Sequence, residues 1–100
     1  MQVLVAQMDE ADLPRCLELA NELRAAGINT EAAIEGGKLG KQFKYADRAG
    51  IRFVLVLGPD EIAKGVVSVK DLASQAQSEI PRADLVGRLR AAIAQAEPKG

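Results

Sequence analysis

The run Val3, Leu4, Val5, Ala6 places apolar side chains on both faces of an extended segment. That is the pattern of a strand covered by helices on both sides, as in a parallel α/β sheet. A helical pattern follows. Asp12 stands where a cap belongs, Pro14 fits a first turn, and Leu13, Cys16, Leu17, Ala20 and Leu23 recur at helical spacing until Gly27, predicting a helix over 11–26. Residues 28–34 have a half-polar pattern and read as a second strand, closed by the loop glycines Gly36 and Gly37. Leu39, Phe43 and Ala46 then mark the apolar face of a helix from Lys38 to Ala49, and Gly50 ends it before a strong strand over 52–57.

Strand, helix, strand, helix, strand with short connections predicts a parallel sheet built from right-handed crossovers, with helices on both faces. The period changes afterwards. Gly58, Pro59 and Asp60 read as a turn, Val66 to Lys70 as a β-branched strand, and Ala76 to Ile80 as a more polar strand returning as a hairpin. Pro81 and Asp84 open a last helix with Leu85, Val86, Leu89 and Ile93 on one face. The expected architecture is α/β, a three-layer α/β/α domain with a mixed sheet of about five strands and three helices. It occupies residues 1–96, with a polar tail over 97–100.

One hundred residues suit one domain, and 48% hydrophobic with 27% charged residues suits a globular chain. The longest apolar runs fall far short of the ~20 residues that span a bilayer. No basic, apolar and small-residue series opens the chain, so the expected location is cytoplasmic, away from membranes. With no histidine and one cysteine, Cys16, the chain lacks Ser/His and Cys/His pairs and the usual zinc donors. Cys16 itself lies on an apolar helix face and is expected to be buried. A net charge of −1 means that any affinity for nucleic acid must come from a local patch.

Such a patch is visible. At about 100° per residue, Lys41, Lys44 and Arg48 share one stripe of the second helix, with Lys38 beside it and Tyr45 and Gln42 near its edge. A phosphate backbone is drawn to such a row, and an aromatic ring offers a stacking face, although the same row equally suits a solvated helix. The glycines at 36, 37 and 40 invite a phosphate-loop reading that fails in detail. Glu35 stands where the first glycine belongs, and Gln42 replaces the hydroxyl residue. A receiver-type reading fails as well, since Leu57 and Gly58 occupy the place of the phosphoacceptor aspartate. Ligands of open α/β sheets favour the loops beyond the carboxyl ends of parallel strands, here 7–9, 35–38 and 58–61.

The stretch EGGKLGKQFKYAD, Glu35 to Asp47, and the stretch FVLVLGPDEIAKGVVSVKDLAS, Phe53 to Ser74, resemble the C-terminal anticodon-binding domain of class II aminoacyl-tRNA synthetases, its histidyl branch in particular. The resemblance runs over residues 2–94 in the same order of elements. It implies a five-stranded mixed sheet with three helices and a role in holding the anticodon of histidine tRNA. It also implies that the loop after strand two, the acid after strand three and the basic residue ending strand four touch anticodon bases. Those positions are Gly36, Glu61 and Lys70. Gly36 brings backbone groups alone. Glu61 and Gln42 are assigned to splayed bases, and Lys38, Lys41, Lys44 and Lys70 to phosphates or sugars. The class II catalytic domain needs hundreds of residues absent here, so the expected partners are tRNA and a parent catalytic domain. No cofactor is expected for this domain, ATP and magnesium belonging to that parent. The alternative is a docking or dimerisation domain that has kept the fold without RNA recognition.

Overall fold

The computed structural model describes residues 2–7, 10–33 and 38–96. Five strands form one sheet in the order β2-β1-β3-β4-β5: β1 Val3–Ala6, β2 Thr30–Ala32, β3 Phe53–Val56, β4 Val66–Asp71 and β5 Ala76–Pro81. β1 pairs in parallel with both β2 and β3, with Val5 opposite Ala32 on one side and Leu55 on the other. β4 and β5 add antiparallel pairing, Leu55 opposite Val69 and Val69 opposite Ser78. The helices are α1 Leu13–Ala25, α2 Leu39–Arg48, α3 Pro59–Lys64 and α4 Leu85–Ala96.

The two parallel crossovers run in opposite directions along the sheet, from β1 out to β2 and from β2 back across β1 to β3. Crossovers of one hand taken in opposite directions set their helices on opposite faces. Val3, Val5, Leu55, Val67 and Val69 pack with Cys16, Leu19 and Leu23 of α1 and Leu85, Leu89 and Ile93 of α4. Leu4, Ala6, Val54 and Val56 pack with Ala46 of α2, flanked by Leu39 and Phe43. One face thus carries α1 and α4, with Ile62 of α3 packed against their cluster, and the other carries α2. Alternation along β4 sends Ser68 and Lys70 to the α2 face, and pairing sets Glu79 and Gln77 of β5 beside them. That half of the sheet is polar where helix packing ends.

The expected mixed sheet and long helices are present, with three local differences. A helix of six residues, α3, replaces the turn expected at 58–60. Pro59 supplies its fixed φ at the first position, and Gly65 ends it at φ +70, where a side chain would be strained. In α1 the buried residues are Cys16, Leu19, Ala20 and Leu23, while Leu17 is 38% exposed, so the inward stripe lies toward Leu19. Asp12 makes no side-chain cap bond, because a 3₁₀ turn over Glu10–Asp12 carries helical backbone into α1. Its carboxylate is buried near Cys16, and Oδ2 has no hydrogen-bond partner among the described residues. Burial, with Asp12 adding to it, pushes the Cys16 thiol up to about 11. The expected tail 97–100 lies outside the described residues.

At the end of the sheet where β3 begins and β4 finishes, Arg52 grips Asp71 through Nε at 2.8 Å and a second nitrogen at 2.9 Å. Hydrogen bonding from Arg52 lowers the Asp71 pKa from 3.8 to about 2. A carboxyl whose folded pKa is depressed contributes stability above its unfolded pKa and loses it as pH falls through the folded one. The difference in melting temperature between the wild type and Asp71→Asn is therefore expected to be full above pH 3.8 and to shrink toward about pH 2. Thermal melts at steps across that interval check it, and a difference independent of pH contradicts it.

Candidate nucleic-acid interface

The single-helix face opens into a groove beyond α2. Its walls are Leu39 and Phe43 of α2 and Pro59, Asp60 and Glu61 at the start of α3, and its floor is Val56, Ser68 and Gln77, enclosing about 590 Å³. It lies at the carboxyl end of β3, where open α/β sheets commonly take ligands. Apolar walls facing polar floor groups and two carboxyl side chains can sandwich a planar group while engaging its edge.

The residues expected to bind distribute themselves unevenly around this groove. Glu61 stands in its wall, and one carboxylate oxygen accepts the Gly58 backbone N–H at 3.1 Å, leaving the other oxygen for a ligand. Lys70 is stationed beside it, with Nζ 4.8 Å from the centre of the Phe43 ring. A cation held over an aromatic face in this way has a fixed starting point. Lys38, Lys41 and Lys44 are exposed, Lys38 in extended backbone ahead of α2 and the other two on its outer surface. Among the described residues they have no acidic partner within ion-pair distance. Gly36 lies outside the described residues.

Gln42 departs from its expected place. It is 7% exposed, and its carboxamide is turned inward to the backbone of Gln7, accepting from N–H at 3.0 Å and donating to C=O at 2.8 Å. A side chain held there does not face a base in the groove. Tyr45 also points elsewhere. It hydrogen-bonds Glu31 of β2, which raises its pKa, and this sets it on the flank of α2 away from the groove. Gln7 is fully buried, and its Nε2 donates to Ala33 O at 2.7 Å.

Ser68, Gln77 and Phe43 are groove residues that sequence reasoning did not single out as contacts. A signal existed for the first two. Ser68 and Lys70 alternate with Val67 and Val69, which marks a β4 face left open by its helix, and hairpin pairing sets Gln77 opposite Lys70. Among the described residues no group of three His, Cys, Asp or Glu could hold a metal ion, and no helix is long and apolar enough to cross a membrane.

Comparison with known families matches residues 2–92 to the family described as "Anticodon binding domain". The chain belongs to the anticodon-binding domain family. This anticodon-binding domain is 53% identical over 97 residues to the histidine–tRNA ligase of Xylella fastidiosa strain M23, covering 97% of the chain and 21% of the relative. It is 50% identical to that of Stenotrophomonas maltophilia, with the same coverage. It thus spans about a fifth of the length of the curated relatives it matches. Among solved structures, histidyl-tRNA synthetase from Nostoc sp. PCC 7120 superposes with a TM-score of 0.89 at 40% identity, over 92% of this chain and 22% of that one. The RNA binding domain of threonyl-tRNA synthetase from Cryptosporidium parvum superposes with a TM-score of 0.83 over 90% of this chain and 23% of that one. At 15% identity that likeness speaks for the fold alone.

Proposed function

We propose that this domain is the tRNA anticodon-binding module of a histidyl-tRNA synthetase. It holds the anticodon of histidine tRNA while a separate class II catalytic domain, using ATP and magnesium, performs the aminoacylation. Its own mechanism is binding, with no bond made or broken here. The observation that carries the reading is the exposed row of Lys38, just ahead of α2, and Lys41 and Lys44 on it, α2 being the helix that forms a wall of the groove. A cationic row beside a slot with polar edges suits an unstacked strand, whose phosphates meet the lysines while its bases turn inward.

In this reading Lys70, fixed on Phe43, meets a phosphate or sugar, and Glu61 reads a base edge with the carboxylate oxygen not used by Gly58. The test is fluorescence anisotropy with histidine tRNA and an anticodon-altered copy at two salt concentrations. Salt-sensitive binding that prefers the natural anticodon is expected. Equal or undetectable binding to both would replace this reading with a docking domain that has lost RNA recognition. Glu61→Gln keeps an acceptor for the Gly58 N–H, so the fold should persist while the preference between the two RNAs falls about tenfold. An unchanged preference would remove Glu61 from base reading.

A further inference from the structure

Gln42 is a buried polar residue of α2 that the groove does not use, and its burial asks for a reason. Glutamine on a helix is mostly exposed. Here the carboxamide donates to and accepts from the backbone of one residue, Gln7, directly after the last residue of β1. It acts as one more rung of the ladder, supplied by a helix. The Gln7 side chain continues the link to Ala33 O, directly after β2. One node therefore joins the carboxyl ends of two parallel strands to the first half of α2.

Apart from the Tyr45–Glu31 side-chain bond at the β2 flank, the other described contacts of α2 with the sheet are apolar, through Ala46, Leu39 and Phe43. Apolar contact is non-directional and tolerates a helix sliding or rolling by a small amount. Two hydrogen bonds to a fixed backbone do not, because their strength falls steeply with angle. The neighbours Leu39 and Phe43 are groove wall, and Phe43 carries Lys70.

We infer that Gln42 is a positioning residue: by tying α2 to the backbone of Gln7 it sets where Leu39 and Phe43 stand along the groove, and with Phe43 the ammonium of Lys70. It contacts no RNA itself. Its consequence for binding rests on the reading of the groove given above, whereas its effect on the groove wall does not.

Two variants and two readouts test it. Gln42→Leu removes both bonds at similar volume. Gln42→Glu, when ionised, lacks the donor for the Gln7 carbonyl, and when protonated it regains both a donor and an acceptor. The chain has no histidine, so no other side-chain type present has its ordinary midpoint between about pH 8 and about pH 5. The first readout, without RNA, is the ring-current shift that Phe43 imposes on the Lys70 ε-methylene protons in NMR. The second is affinity for the anticodon arm of histidine tRNA, measured well below the melting temperature.

The shift is expected to disappear in Gln42→Leu, and in Gln42→Glu to be absent near pH 8 and to return near pH 5, with no such change in the wild type. Affinity should fall about tenfold and recover in step with the shift. A packing role would not follow the proton. A Lys70 shift unchanged in the folded variants overturns the inference, and a lost shift with unchanged affinity overturns its consequence for binding. If Gln42→Leu does not fold, the titration of Gln42→Glu decides. If the wild type binds no RNA, the proposed function falls and the NMR readout alone decides whether Gln42 positions the wall.

Discussion

Replacing Lys38, Lys41 and Lys44 together with alanine is expected to weaken the binding of histidine tRNA at low salt by one to two orders of magnitude, with little effect on which anticodon is preferred. Each lysine neutralising a phosphate releases a counterion. The plot of log affinity against log salt should therefore lose about 0.7 of slope per lost single-strand contact, close to 2 for all three. Phosphates carry no sequence information, so natural and altered anticodons should lose affinity together. The fold should be untouched. All three side chains are exposed, and alanine has the better helix propensity at 41 and 44. Anisotropy titrations at several salt concentrations measure slope and preference in one experiment. An unchanged slope would show that this row is an ordinary solvated helix face. A changed preference with an unchanged slope would assign to these lysines the base reading proposed for Glu61.

That experiment and the Glu61→Gln comparison divide the site into two kinds of contact, and the division follows from where the side chains are anchored. Lys41 and Lys44 ride on the outside of a helix and can follow a mobile backbone. Glu61 is held by Gly58 and Lys70 by Phe43, so each presents its charge from a fixed position. Fixed groups discriminate between base edges, because a wrong edge leaves a donor or acceptor unmatched, while mobile cations add attraction for any sequence.

The sheet was legible because its signals are local and redundant. Val3–Ala6 and Phe53–Val56 are apolar at every position, which only a strand covered on both faces requires, and both are buried throughout. The basic row of α2 was legible for the same reason, since helical geometry alone sends Lys41 and Lys44 outward. Gln42 was not. Nothing in its neighbours distinguishes a glutamine that reaches solvent from one that bonds a strand end 35 residues away. Leu17 and Leu19 are a related case. Both fit an apolar stripe on α1, and the packing against α4 and the sheet decides that Leu19 turns inward. The α3 helix is not legible in the sequence because Gly58, Pro59 and Asp60 are turn residues and helix-start residues at once. Groove floor residues such as Gln77 acquire meaning only when the hairpin register sets them opposite Lys70.

Leu55→Ala is expected to destabilise the domain by about 2–5 kcal/mol, a large share of the ~5–15 kcal/mol available to a domain of this kind. Leu55 lies in the middle strand of the sheet, paired to Val5 on one side and Val69 on the other, and is fully buried. Its side chain is on the face covered by α1 and α4, within the larger of the two clusters. Neighbours on both adjacent strands are held by backbone ladders and cannot collapse far into the space, so the cavity term stays large. Leu17→Ala, on the same helix-covered side but at the surface, is expected to cost less than about 1 kcal/mol. Urea unfolding checks both, the midpoint falling strongly for Leu55→Ala with an unchanged slope. Because the groove lies on the opposite face, the folded fraction of Leu55→Ala should bind tRNA with near wild-type affinity. A loss of affinity beyond the unfolded fraction would mean that the two faces of the sheet are coupled through β3. The strand that carries Leu55 inward also ends at Val56 in the groove floor, so the same measurement reports how rigidly the sheet holds its site.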